Sequence, residues 1–145
     1  MAGYSFVKRL DGEGATLITM TVGATAVKQG DACKVGANQN LVIPITTVKD
    51  KVIGVALHDA AIGAQVAMVQ VDGHTVFEAT GVTTAYVEAT YRFLAADSLF
   101  TSGDMKVNPA VLTTTGDVLM LGLTPNYASG VIGNHFDVIF LNRYL

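Results

Sequence analysis

Two short runs of alternating apolar and polar residues flank the dipeptide Asp72-Gly73, and this arrangement constrains the fold more than any other stretch of the chain. The runs are Gln65–Val71 and His74–Ala79. Alternation with a period of two is typical of a half-buried β-strand, and an Asp-Gly pair between two such runs favours a tight hairpin turn. The sequence therefore predicts a β-hairpin at this position.

The same β signal extends along the rest of the chain. The 145 residues include 19 Val, 7 Ile and 16 Thr, and β-branched residues suit a pleated surface. We therefore predict a mostly β fold, a small β-barrel or sandwich, with at most one short helix. Thr84–Leu94 is the segment where such a helix would lie: its alternation favours a strand, whereas Glu88 and Arg92, four residues apart, suit a helix.

Charged residues are scarce, and their scarcity limits the classes of partner. They make up 14% of the chain against 50% hydrophobic residues, and the net charge is −3. This composition excludes intrinsic disorder, and the lack of a basic stripe argues against a nucleic-acid partner. The longest charge-free stretch contains Pro and several Gly, so a membrane partner is not expected either. Because the chain is so apolar, we expect it to bury exposed apolar surface in a homo-oligomer or a larger assembly.

No group of residues has the pattern of a catalytic or metal site. His58, His74 and His135 are far apart in the sequence and lack metal-ligand spacing. The single cysteine, Cys33, excludes a disulfide within the chain, and burial as a small apolar side chain is the simplest interpretation of it. Asp11-Gly12-Glu13-Gly14 lacks the spaced ligands of a calcium loop. We therefore expect no enzymatic activity, no cofactor and no metal.

The two halves of the chain share a weak internal repeat. The stretch around Pro44 resembles that around Pro109, 65 residues later, and VIGVAL (Val52–Leu57) resembles VLMLGL (Val118–Leu123). We expect VIGVAL, a nearly continuous apolar run, to lie in the core of the protomer. The predicted organisation is an N-terminal arm over residues 1–10 and a single β domain over 11–145, with a division into two repeated halves left open.

The segment from Val27 to Ala79 resembles a known family. It contains QGDACKVG and then VIGVALHDAAIGAQVAMVQVDGHTVFEA, which is similar to the order of elements in the head decoration, or capsid cement, proteins of tailed phages of the lambda type. The resemblance implies a β-tulip-like homotrimer without catalytic residues. It also implies attachment to the major capsid protein on the outer surface of the expanded head, after assembly in the host cytoplasm.

In that family an N-terminal arm commonly pairs with strands of the capsid protein, and only residues 2–9 could serve this role here. An ordinary edge strand is the alternative for the same residues. The resemblance thus implies a capsid-binding segment, with Tyr4 and Phe6 as aromatic anchors, made of Ala2, Gly3, Tyr4, Ser5, Phe6, Val7 and Lys8. Two other classes of function stay open: another virion component, such as a head-fibre or tail protein, and a small ligand-binding β-module.

Overall fold

The predicted mostly β architecture is confirmed. The computed structural model describes residues 3–38, 40–113, 116–124 and 132–145, and for residues 110–113 it describes the backbone alone. Within these ranges the only helix, α1, is Glu88–Tyr91, inside the segment Thr84–Leu94, where the alternation alone favours a strand. The strands are β1 Ser5–Arg9, β2 Leu17–Val22, β3 Ala32–Val35, β4 Leu41–Pro44, β5 Gly54–Ala56, β6 Gln65–Gln70, β7 Thr75–Thr80, β8 Tyr86–Val87, β9 Ala95–Leu99, β10 Lys106–Thr113, β11 Val118–Leu123, β12 Ile132–Gly133 and β13 His135–Phe140.

The first half of the chain forms a closed five-stranded barrel. Its strands follow the order β2-β4-β3-β5-β6, and the barrel closes where β2 runs parallel to β4 at Thr21 and Val22. All other neighbouring strands in it are antiparallel. Alternate residues point inward, as the period of two requires. The interior is filled by Val22, Val27, Cys33, Val42, Ala56, Ala60, Val66 and Met68.

The second half repeats this arrangement of strands. Its strands follow the order β7-β13-β11-β9-β10 across the sheet. This order matches β2-β6-β5-β3-β4 in the first half, so β7 is equivalent to β2 and β13 to β6. A parallel bridge between Gly81 and Val107 brings the end of β7 to β10, as β2 meets β4 in the barrel. We call Leu17–Gln70 the first repeat and Thr75–Phe140 the second repeat.

The two repeats share register as well as strand order. Lys34 faces Ile43 in the first repeat, and Asp97 faces Asn108 at the equivalent place in the second. Three backbone hydrogen bonds of the first repeat also recur in the second. The bond from Gly30 N to Ala56 O recurs as Phe93 N to Met120 O, and that from Ala56 N to Asp31 O recurs as Met120 N to Leu94 O. The bond from Val22 N to Ala64 O recurs as Gly81 N to Asn134 O.

The prediction of a β-hairpin at Asp72-Gly73 is wrong. Strand β6 pairs with β2 and β5, whereas β7 pairs with β1 and β13, so the two runs lie in different sheets. The dipeptide instead joins the two repeats. The Asp72 carboxylate accepts hydrogen bonds from the backbone of His74, the hydroxyl of Thr75 and the guanidinium of Arg9, which fixes the connection in place.

The expected placement of VIGVAL in the protomer core holds for Val52 and the three buried residues of β5, whereas Ile53 is half-buried and Leu57 is 42% exposed. A Cβ on Gly54 would lie 2.8 Å from Cβ of Met68 and 3.1 Å from the carbonyl oxygen of Val69. Gly54→Val is therefore expected to destabilise the folded protomer by ~1–3 kcal/mol through overpacking. Urea unfolding measures this change, with Gly14→Ala as the control, because a Cβ on Gly14 meets nothing within 4 Å. A Gly54→Val protein that is fully stable yet fails to assemble would contradict this placement.

Candidate partner-binding surface

The N-terminal segment is extended, but it is built into the domain rather than free of it. Strand β1 forms the edge of a six-stranded sheet by pairing with β7. Before it, Gly3 N donates a hydrogen bond to the carbonyl of Met105, and Tyr4 N donates one to the carbonyl of Gly30. Gly3 has φ +118° and passes so close to Gly30 that a Cβ on it would lie 3.1 Å from the Gly30 Cα. Gly3 and Tyr4 therefore join the two repeats, and we call the contact between the repeats at these residues the seam.

Tyr4, expected to be an anchor for the capsid, is a core residue. It is 3% exposed, and its ring centroid lies 4.8 Å from that of Phe140. Its hydroxyl makes a hydrogen bond of 2.6 Å with Oγ of Ser98. Burial raises the pKa of this phenol well above its usual value, the Ser98 hydrogen bond lowers it, and the nearby Asp117 raises it further. The hypothesis that Tyr4 is free to contact a partner is therefore wrong.

The remaining residues of the expected arm divide between the core and the surface. The Phe6 ring is half-buried and packs edge-on against Phe77, at 6.4 Å between centroids. Ser5, Val7 and Lys8 are exposed on the outer side of β1. Ala2 lies outside the described residues. Of the expected capsid-binding segment, the structure thus leaves the outer side of β1 accessible.

The end of β1 is held by a clamp of ionic hydrogen bonds. The Arg9 guanidinium lies 2.5 Å from a carboxylate oxygen of Asp72 and 2.8 Å from one of Asp11. The hydrogen bond from Arg9, together with that from the backbone of Glu13, lowers the pKa of Asp11 to about 2. Because Asp72 also fixes the connection between the repeats, this clamp ties β1 to the place where the second repeat begins.

Phe93 is a surface residue that the sequence did not single out. It adopts φ +64°, in the left-handed region, yet it carries an aromatic side chain that is 61% exposed. The equivalent position of the first repeat holds Gly30, at φ +85°. The left-handed conformation costs a residue with a Cβ ~1–2 kcal/mol. Aligning the two repeats would have identified Phe93, because it stands where the backbone favours glycine.

Other exposed side chains stand near Phe93 in the chain. Leu94 follows it directly, and the guanidinium of Arg92 lies 4.7 Å from the centre of the Phe93 ring. Just before α1, Val87 pairs with Ile132, and both side chains are exposed. We call Arg92, Phe93 and Leu94 the Phe93 cluster. Exposed aromatic and Arg side chains are typical of residues that dominate protein–protein contacts.

The histidine and cysteine side chains considered from the sequence have structural contacts. Nε2 of His58 accepts a hydrogen bond from Ala67 N, so Nδ1 carries the proton and donates to the carbonyl of Asp59. Cys33 lies in the barrel interior, where burial first and Asp31 second raise the pKa of its thiol. In the described ranges, no three His, Cys, Asp or Glu side chains are grouped so that they could bind a metal ion. No helix there has the length and apolar character needed to cross a membrane.

Comparison with known proteins gives no family assignment, since no family model and no curated protein matches the chain.

Phe93→Gly is expected to separate stability from binding. The change relieves the left-handed strain while it removes a mostly exposed ring, so the free energy of unfolding should change by less than ~1 kcal/mol. The affinity of the Phe93→Gly variant for the partner protein should be at least tenfold lower than that of the unmodified protein. Tyr144→Ala is the matched control, because it removes another exposed aromatic ring, one that lies next to Lys51. Equal binding by both variants would show that Phe93 makes no contact with the partner.

Proposed function

We propose that this protein is a structural component of a phage virion that binds the outer surface of the capsid and stabilises the expanded head. The choice of partner rests on the resemblance of Val27–Ala79 to the phage head decoration proteins. The proposal includes no enzymatic activity. It places the protein on the assembled capsid, with the major capsid protein and other copies of the chain as its partners.

The observation that carries the proposal is the strained and exposed Phe93. Folding alone favours glycine at this position, as in the first repeat, and favours a polar side chain on the surface. A large aromatic ring there contributes little to the stability of the protomer, and it is well suited to insert into a pocket on another protein. Leu94, the next residue in the chain, adds exposed apolar area beside it.

The architecture suits a protein that acts by repeated contact. A closed barrel and a sheet of equivalent strand order pack around a common core, to which the first repeat contributes Ile45 and Val55 and the second repeat contributes Phe77, Phe136 and Phe140. A rigid protomer of this kind loses little conformational entropy when it binds. A homotrimer would present three copies of the Phe93 cluster, so modest individual affinities would combine into tight attachment.

Co-sedimentation with purified phage heads tests the proposal. The protein should pellet with expanded heads in a saturable manner, with no binding to unexpanded heads, and Phe93→Gly should weaken this binding as stated above. Sedimentation velocity of the free protein should give the mass of a trimer. A protein that stays in the supernatant at all concentrations with expanded heads of the matching phage would refute the proposed function.

A further inference from the structure

The second repeat has a strand beside β7 for which the first repeat has no equivalent among the described residues. Strand β1 pairs with β7 over Thr75–Glu78. By the register of β2 with β6 and of β7 with β13, these residues correspond to Thr16–Thr19. No strand among the described residues pairs with β2 on the side equivalent to β1, because β4 meets β2 only at Thr21 and Val22. We call Thr16–Thr19 the β2 edge.

The backbone of the β2 edge is oriented to accept a strand. Gln70 N donates to the carbonyl of Thr16 and Val22 N donates to that of Ala64, so the even-numbered residues of β2 are those bonded towards β6. In an antiparallel pair the bonding direction alternates along the strand. The N–H and C=O groups of Leu17 and Thr19 therefore point away from β6, to the side where β7 binds β1.

The inner face of the barrel is incompletely covered at the same place. Ile18 and Met20 pack against its core but are only half-buried. Their equivalents in the second repeat, Phe77 and Ala79, are fully buried. In the second repeat the Phe6 ring lies against Phe77 and covers this position. A strand added at the β2 edge would bring an apolar side chain over Ile18 in the same way.

The β2 edge also lacks the features that prevent unwanted strand addition. The free edge of the β1–β7 sheet is interrupted by a register shift between Phe6 and Lys8, and it carries the charged Lys8 and Arg9. Bulges and charges of this kind protect sheet edges. By contrast, β2 pairs with β6 in an unbroken register, and Thr16–Thr19 includes no charged residue, proline or glycine.

From this comparison we propose that the β2 edge binds an extended segment of the partner protein as an additional antiparallel strand. The segment resembles β1 in pattern, with an aromatic or large aliphatic residue opposite Ile18. Backbone hydrogen bonds to Leu17 and Thr19 provide affinity, and the side chain over Ile18 and Met20 provides selectivity. The identity of the partner as a capsid protein rests on the proposed function, whereas the strand-accepting edge does not.

A blocked peptide with the sequence of residues 3–9, GYSFVKR, is the probe. Titration followed by NMR should give saturable shift changes at the amides of Leu17 and Thr19. Thr19→Pro removes an N–H that faces away from β6, as edge prolines do, and should weaken binding at least tenfold. Thr19→Val is the matched control, since it keeps the N–H and should bind as the unmodified protein does. If Thr19→Pro unfolds the protein, Thr19→Lys, which adds a protective charge at this exposed site, replaces it.

Each outcome decides the inference. Equal binding by Thr19→Pro and Thr19→Val, or no binding to the unmodified protein, would overturn it. Self-association that Thr19→Pro abolishes would show that a second copy occupies the edge, and would overturn the assignment to a partner segment. In co-sedimentation with heads, loss of binding for Thr19→Pro but not for Thr19→Val supports the inference. If the unmodified protein binds the peptide but not the heads, the proposed function fails and the strand-accepting edge stands.

Discussion

Tyr4→Ala is expected to lower the free energy of unfolding by ~3–5 kcal/mol, the range found for removal of a large aromatic side chain from a core. Tyr4 is fully enclosed, its ring contacts that of Phe140, and its hydroxyl is the partner of the Ser98 hydroxyl. Alanine would leave a cavity between the repeats and a buried hydroxyl with one hydrogen bond fewer. Urea unfolding of the purified variant measures the loss.

Val7→Ala is the matched control for this prediction. It lies in the same N-terminal segment, and its side chain is 38% exposed, so its effect should stay within ~0.5 kcal/mol. Deleting residues 2–9 should remove β1 together with Tyr4 and destabilise the protein at least as much as Tyr4→Ala. A truncated protein with an unchanged melting temperature would restore the hypothesis of an independent arm.

Asp31→Ala is the second change with a large expected effect, because Asp31 joins the repeats through a buried carboxylate. The side chain is fully buried and accepts hydrogen bonds from Ser102 Oγ at 2.5 Å, Gly103 N at 2.8 Å and Lys28 N at 3.0 Å. Ser102 and Gly103 belong to the turn between β9 and β10 in the second repeat. Alanine removes the acceptor of three part-buried hydrogen bonds, and a hydrogen bond to a charged group contributes ~1.5–3 kcal/mol. We therefore expect a total loss of ~3–5 kcal/mol.

Asp59→Ala provides the comparison for Asp31→Ala. The Asp59 carboxylate also accepts a backbone hydrogen bond, from Gln29 N at 2.9 Å, but its side chain is 67% exposed. Water can replace that bond, so the loss should stay below ~1 kcal/mol. Urea unfolding of both variants gives the two free energies. Far-UV circular dichroism is the signal, because the chain contains no Trp for fluorescence. Similar values for the two variants would mean that Asp31 does not hold the repeats together.

Period-two alternation identifies many of the strands, because it reports which side chains face the core, but it also favours a strand at Thr84–Leu94, where α1 lies. It could not predict which strands pair. The Asp72-Gly73 signal is local, and it was overridden because both edges of β6 and both edges of β7 are taken by other strands. The turn residues serve the connection between repeats instead.

The candidate sites were harder to predict than the fold. The alternation of residues 2–9 fits a free arm and an edge strand equally well, and the choice is made by the seam between the repeats, which encloses Tyr4. Phe93 carries no local motif, and its importance follows only from comparison with Gly30. The β2 edge likewise becomes visible only when the two repeats are aligned, since nothing in residues 16–19 alone indicates a missing neighbour.

The thermal stability of expanded heads, measured with and without saturating amounts of this protein, tests the central claim most directly. A protein that binds the outer surface and joins neighbouring capsid subunits should raise the temperature at which purified heads open, and Phe93→Gly should reduce the rise while it leaves the free protein folded. Heads of the matching phage that open at the same temperature with and without the protein, and that carry none of it after sedimentation, would contradict the account.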